Sequence, residues 1–130
     1  MDIKIKEVKS KQDLKKFIDF PNRLYSGNDY YVPALYSTEL QTLSDKKNPA
    51  FEFCEAKYWL AFRGSEVVGR VAGIINHRYN EKIGKGSARF GWLDFVEDEE
   101  VLQALMQTVE KWAIKNDAEF LHGPLGFVSF

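Results

Sequence analysis

Apolar residues recur along this chain first at spacings of two and then of three and four, and the changes of period mark out its elements. Ile3 and Ile5 alternate with Lys4 and Lys6, which predicts a short strand at a sheet edge, where lysines discourage foreign pairing. Ser10 stands three positions before Asp13, a helix-start signal, and Leu14, Phe17 and Ile18 form an apolar face that Pro21 ends or kinks. Tyr25 to Asp29 is rich in turn formers, and residues 30–33 are expected to be extended because Pro33 disfavours a helical neighbour. Leu35, Leu40 and Leu43 then supply the apolar contacts of a second, short helix, closed by turn residues from Ser44 to Pro49.

Residues 57–63 and 67–76 are rich in strand formers and flank Gly64-Ser65-Glu66, which predicts an antiparallel hairpin. Gly69 and Gly73, four apart, clear one face of the second strand, a provision for a bulge or for close approach of a neighbour. Residues 77–87 read as a basic loop that returns the chain to a third strand at 88–96. Behind it Glu97-Asp98-Glu99-Glu100 opens a helix, with Asp98 as its cap and Leu102, Leu105, Met106, Val109, Trp112 and Ala113 on one face. Residues 118–122 form a last strand, and the strand-helix-strand order implies a parallel, right-handed crossover that would set Leu121 beside Leu93.

Composition narrows the classes. With 130 residues, 45% of them hydrophobic and 15% aromatic, the chain is expected to form one domain with a core filled largely by rings. A formal net charge of -1 leaves no general footprint for nucleic acid, which is not an expected partner. Charge is nevertheless segregated: Arg70 to Arg89 is mostly basic, while Asp94 to Glu100 is acidic. The single cysteine, Cys54, excludes an intrachain disulfide and a cysteine-built zinc site and suits a reducing compartment. No apolar run approaches the roughly 18–20 residues of a membrane span, and the first residues lack the apolar core of a signal peptide. A cytoplasmic location, away from membranes, is expected.

Candidate chemistry is sparse. His77 and His122 lie on different elements without a paired carboxylate at ligand spacing, so no metal site is expected and each reads as a surface or hydrogen-bonding histidine. Cys54 is either a nucleophile, needing a base that sequence cannot place, or a buried small apolar group beside Phe53. Asp94 interrupts an apolar strand on the side of Phe90 and Trp92. A carboxylate there is either a catalytic base or half of a salt bridge to Arg70 or Arg89. Arg78, Lys82, Lys85 and Arg89 around Tyr79 have the makings of a phosphate or single-strand nucleic-acid site, or of a plain solvated loop.

Four segments carry a resemblance: residues 48–53 (Asn-Pro-Ala-Phe-Glu-Phe), 68–74 (Val-Gly-Arg-Val-Ala-Gly-Ile), 76–81 (Asn-His-Arg-Tyr-Asn-Glu) and 122–127 (His-Gly-Pro-Leu-Gly-Phe). They are similar to segments of a group of bacterial GNAT-like proteins, and the inferred element order resembles the first two-thirds of the GNAT acyltransferase fold. The resemblance covers nearly the whole chain. It implies an α+β fold with a mixed, mostly antiparallel sheet flanked by helices, forming a single domain over residues 1–130 that lacks the fold's C-terminal helix and last two strands. It further implies acetyl-CoA or another acyl-CoA as co-substrate, no metal, and transfer of the acyl group to an unknown small amine without a covalent enzyme intermediate. In that fold the donor's pantetheine arm enters a splay beyond the third antiparallel strand, which here places it against the backbone of Leu93, Asp94 and Phe95, with Asp94 the candidate base.

Two departures qualify that picture. GNAT enzymes begin the long helix with spaced glycines whose N–H groups hold the CoA pyrophosphate, whereas Glu97 to Gln103 holds carboxylates and no glycine. A non-catalytic binding or assembly module that keeps the fold is therefore the alternative reading. The chain also stops soon after its last strand, with Leu125, Phe127 and Phe130 still to be covered. A fragment, a truncated product or one half of a dimer would each present such an edge. The expectation is a homodimer through the C-terminal strand edge or tail, and the alternative is a tail that folds back over its own chain.

Overall fold

In this computed structural model residues 2–33 and 35–127 are described, and the first of them form β1 (Ile3–Glu7), an edge strand antiparallel to β2 (Cys54–Arg63). β2 pairs with β3 (Glu66–Asn76) across a turn in which Gly64 takes a positive φ of 64°, and β3 pairs antiparallel with β4 (Ser87–Phe95). Helix α4 (Glu99–Lys115) then crosses over to β5 (Phe120–His122), parallel to β4, giving the order β1-β2-β3-β4-β5. The mixed, mostly antiparallel sheet is thus as expected from the order of elements. β3, its central strand, is buried from Val67 to Asn76 because helices cover both faces.

Alternation along the strands sorts two apolar layers. Tyr58, Leu60, Ala72 and Ile74 face α1 (Lys11–Leu24) and α2 (Tyr36–Leu43), where Phe17, Ile18, Phe20 and Leu43 meet them. Trp59, Ala61, Val71 and Ile75 face α4, against Val101, Leu105, Val109 and Trp112. Gly69 and Gly73 lie directly beneath α4: a Cβ on Gly69 would stand 2.8 Å from Leu105 Cδ1, and one on Gly73 2.6 Å from Trp112 Cζ3. Close approach, one of the two readings of that glycine pair, is the reason for them. The helical stripe is as read, except that Val101 is fully buried while Leu102 and Met106 are only partly so.

Several expectations are corrected. Pro21 does not end α1, which runs on to Leu24. A proline removes the donor that the Phe17 carbonyl would have used, and Arg70 Nη1 supplies that donor instead at 2.8 Å. Leu35 precedes α2 and is 71% exposed, so it gives that helix no apolar contact. The basic loop is in part a helix, α3 (His77–Ile83), because Asn76 Oδ1 accepts from the Tyr79 N–H at its start and Gly84, at φ 69°, closes its end. Leu121 pairs with Ala88, far from Leu93. The return from α4 is tight, with the Glu119 N–H donating to the Gly86 carbonyl, and this pins β5 to the beginning of β4.

Capping at α1 carries a pH signature. Ser10 Oγ accepts from the Asp13 N–H at 3.0 Å, and the buried Asp13 carboxylate accepts from Lys6 Nζ and the Lys9 N–H. Burial pushes the Asp13 carboxyl up, but these donors outweigh it and hold it below its ordinary 3.8. A carboxyl lowered on folding stabilises above its unfolded value, and that contribution is lost as pH falls through the lowered one. Asp13→Asn is expected to lower the urea midpoint at pH 7 and to flatten the acid limb of the stability curve below about pH 4. An unchanged acid limb would show that Asp13 contributes nothing to it.

Candidate functional site

β4 loses its outer neighbour part-way along. Its last paired residue with β5 is Arg89, opposite His122, and one further bond runs from the Leu125 N–H to the Phe90 carbonyl. Beyond that point no strand flanks the outer edge of β4 among the described residues. The inner edge changes there too: the β3 partner steps from Ala72 to Arg70 while β4 steps from Gly91 to Asp94, and Trp92 takes a φ of 48°. Such a bulge re-aims the side chains that follow. Phe90 packs toward α4, whereas Trp92 and Asp94 face α1, which corrects the expectation that all three share a side. Trp92 is held in this conformation by its indole N–H, which donates to Glu39 Oε1 at 3.3 Å, and by the Phe127 ring at 5.8 Å.

The bulge sets Asp94 into a partly buried polar group. Arg70 Nε and Nη2 donate to Asp94 Oδ2 at 3.0 and 2.9 Å, and the Tyr25 hydroxyl donates to Oδ1 at 3.1 Å. Of the two salt-bridge partners foreseen for Asp94, Arg70 is therefore the one used. The Arg70 guanidinium, 5% exposed as a residue, also lies over the Phe17 ring at 5.0 Å. Burial pulls it below its ordinary value and Asp94 opposes that shift; it stays charged. Burial, and then the Asp94 charge, push the Tyr25 phenol up, so at neutral pH it remains a donor. The Tyr31 ring lies tilted against Tyr25 at 5.0 Å between ring centres, and its hydroxyl donates to Asn22 Oδ1.

Leu93, Asp94 and Phe95 line an open cleft of ≈ 810 Å³ together with Glu97 and the segment from Leu24 to Tyr30. Among the described residues Asp29, Asp94 and Glu97 are its charged residues, and no lysine or arginine lines it. The three β4 positions singled out in the sequence are thus brought together at one opening. Tyr25 had no sequence signal beyond its place in a turn-rich stretch. Arg70 was legible only as a possible partner.

The acidic start of α4 is a self-contained cap. Asp98 Oδ1 accepts from the Glu100 N–H at 2.9 Å, and Oδ2 meets Arg63 Nη2. The Glu100 bond, with Arg63 behind it, holds the Asp98 carboxyl below its ordinary value. Other candidates resolve into structural roles. Cys54 is buried, its thiol pushed up by burial. His77 Nε2 lies 2.9 Å from Glu55 Oε2 on the surface, and His122 stacks on Phe120. Arg78 covers the Phe53 ring at 4.1 Å and Lys85 the Phe120 ring at 5.3 Å. Arg89 is not a loop residue at all: it is buried in β4 beside Tyr79, donating to the Gly126 and Phe127 carbonyls. Phe127 is buried against Phe51 and Trp92, so this part of the tail folds onto its own chain. Phe130 lies outside the described residues.

Comparison with known proteins places this geometry. No family model matches the chain. It is 33% identical over 115 residues, 88% of its length, to Protein YghO of Escherichia coli strain K12. It is 30% identical over 112 residues, 85% of its length, to a bacterial ceramide synthase of Caulobacter vibrioides. The chain spans 29% of each of these relatives. Among solved structures it matches a tandem GNAT protein from the clavulanic acid biosynthesis pathway with a TM-score of 0.70 and 16% identity, over 90% of this chain and 34% of that one. An aminoglycoside acetyltransferase from an uncultured soil metagenomic sample matches with a TM-score of 0.63 and 17% identity, over 95% and 77%. The fold is GNAT-like, as the resemblance implied. No helix among the described residues is long and apolar enough to cross a membrane.

Proposed function

We propose that this chain is an acyltransferase-like domain in which acetyl-CoA or a longer acyl-CoA donates its acyl group to an amine at the Asp94 cleft. One observation supports this most: among the described residues the outer edge of β4 at Leu93, Asp94 and Phe95 has no strand neighbour where it meets a cleft lined by acidic charges alone. A free strand edge suits the amides of a pantetheine arm, which pair with it as an added strand would. Carboxylates at the same opening suit a protonated amine. In the reaction the amine nitrogen, having lost a proton, attacks the thioester carbonyl. The C–N bond forms, the C–S bond breaks with its electron pair on sulfur, and the proton that the nitrogen sheds as the amide forms ends on that sulfur, releasing the free thiol. Asp94 is the candidate base, reached from the cleft through the Tyr25 hydroxyl, and Arg70 holds it in place. The name of the Caulobacter relative makes amide formation with a long acyl chain the first reaction to test.

A second reading, a binding module without catalysis, draws support from α4. A helix that receives a pyrophosphate leaves its first N–H groups free, yet here Asp98 already accepts from Glu100. Isothermal titration with acetyl-CoA and dodecanoyl-CoA separates the two. Saturable heat with either donor is expected, and for dodecanoyl-CoA it should persist in the presence of saturating dodecanoate. No heat at high protein concentration would remove the donor reading and leave the binding module.

A further inference from the structure

We infer that the chain carries a second binding site, for a single-chain amphiphile with an anionic head group, in a groove between the start of α1, α2 and the first half of β2. The groove encloses ≈ 690 Å³, within the range of small-molecule pockets. It shares no lining residue with the Asp94 cleft. Its floor is apolar: Leu14, Leu40, Leu43 and Tyr58 line it, and the Tyr58 hydroxyl is occupied by the Leu43 carbonyl at 2.7 Å. Tyr58 therefore offers a ring to a ligand and no donor.

The rim is basic. Lys9, Lys11, Lys46, Lys47 and Lys57 line the groove, against Glu7 and Asp45 as the only acids among the described residues there. Lys57 pairs with Glu7 at 3.5 Å. The other four lysines have no ion-pair partner among the described residues. In a chain whose net charge is -1, this is a local concentration of positive charge around a low-dielectric floor, an arrangement that focuses the field on an anion. A bare phosphate would leave the floor unfilled, and a neutral lipid would leave the lysines without a counter-charge. A carboxylate or phosphate on an alkyl chain satisfies both. The inference does not depend on acyl-CoA binding at the Asp94 cleft.

The test is titration with dodecanoate below its micelle concentration, with dodecyltrimethylammonium as the cationic control and phosphatidylglycerol vesicles as the membrane control. Dodecanoate is expected to bind one to one, and at least about tenfold more tightly than the ammonium amphiphile. Lys46→Glu with Lys47→Glu, both exposed, is expected to weaken dodecanoate about tenfold or more while circular dichroism stays unchanged. Lys9→Glu with Lys11→Glu, on the facing element, is expected to act in the same direction. Equal affinity for the two amphiphiles would overturn the inference. So would an unchanged affinity in both folded charge-reversal variants, or binding to vesicles without binding to monomeric dodecanoate.

Discussion

Arg70→Met is expected to destabilise the protein by about 3–5 kcal/mol, the range for removing one partner of a buried ion pair. The side chain is almost fully enclosed, and it donates three N–H groups to two acceptors. Asp94 Oδ2 receives two of its N–H groups, and the Phe17 carbonyl receives a third in place of the donor that Pro21 lacks. Methionine keeps much of the apolar stem and the packing on Phe17 but leaves the carboxylate and the carbonyl unpaired. The loss should therefore be electrostatic rather than steric. Adding Asp94→Leu to Arg70→Met should return a large part of it, since a buried pair replaced as a unit by apolar groups is often close to neutral. Urea denaturation of the two single variants and the double variant gives the coupling. A single-variant loss below about 1 kcal/mol would mean that Asp94 turns to water through the cleft, and its position there would not then rest on Arg70.

Leu105→Ala is expected to cost about 2–5 kcal/mol, as large-to-small changes at fully buried positions do. Leu105 sits at the centre of the layer between α4 and the sheet, and its Cδ1 occupies the space above Gly69. That geometry makes a second variant informative. Gly69→Ala alone places a methyl 2.8 Å from Leu105 Cδ1 and 2.9 Å from Val101 Cγ1, an overpacking expected to cost about 1–3 kcal/mol. Combined with Leu105→Ala the new methyl gains room, and the double variant should lose less than the two single losses added together. Strict additivity on chemical denaturation would show that α4 does not rest on Gly69.

Periods of two and of three to four residues sufficed to place the strands and three of the helices, α1, α2 and α4, because each must bury one face and the side-chain geometry of strand and helix ties that face to a spacing. The stripe from Leu105 to Trp112, the hairpin around Gly64, the edge position of β1 and the clearing made by Gly69 and Gly73 were all legible for this reason. The short α3 was missed although Asn76 and Gly84 bracket it, since a run of basic residues reads as solvated whether it is coiled or helical. What decides the candidate site lay beyond any local pattern. The insertion of one residue at the bulge near Trp92 turned Asp94 away from Phe90 and toward α1, and a register change leaves no trace in hydrophobic spacing. Arg70 and Asp94 are 24 positions apart, and Tyr25 and Asp94 are 69 apart. Their meeting depends on α1 packing across β2 and β3, where Arg70 finds the one helical carbonyl that Pro21 leaves without a donor. The tertiary structure alone brings these groups together, because a buried polar group takes whichever partner the packing of distant elements sets within hydrogen-bond reach.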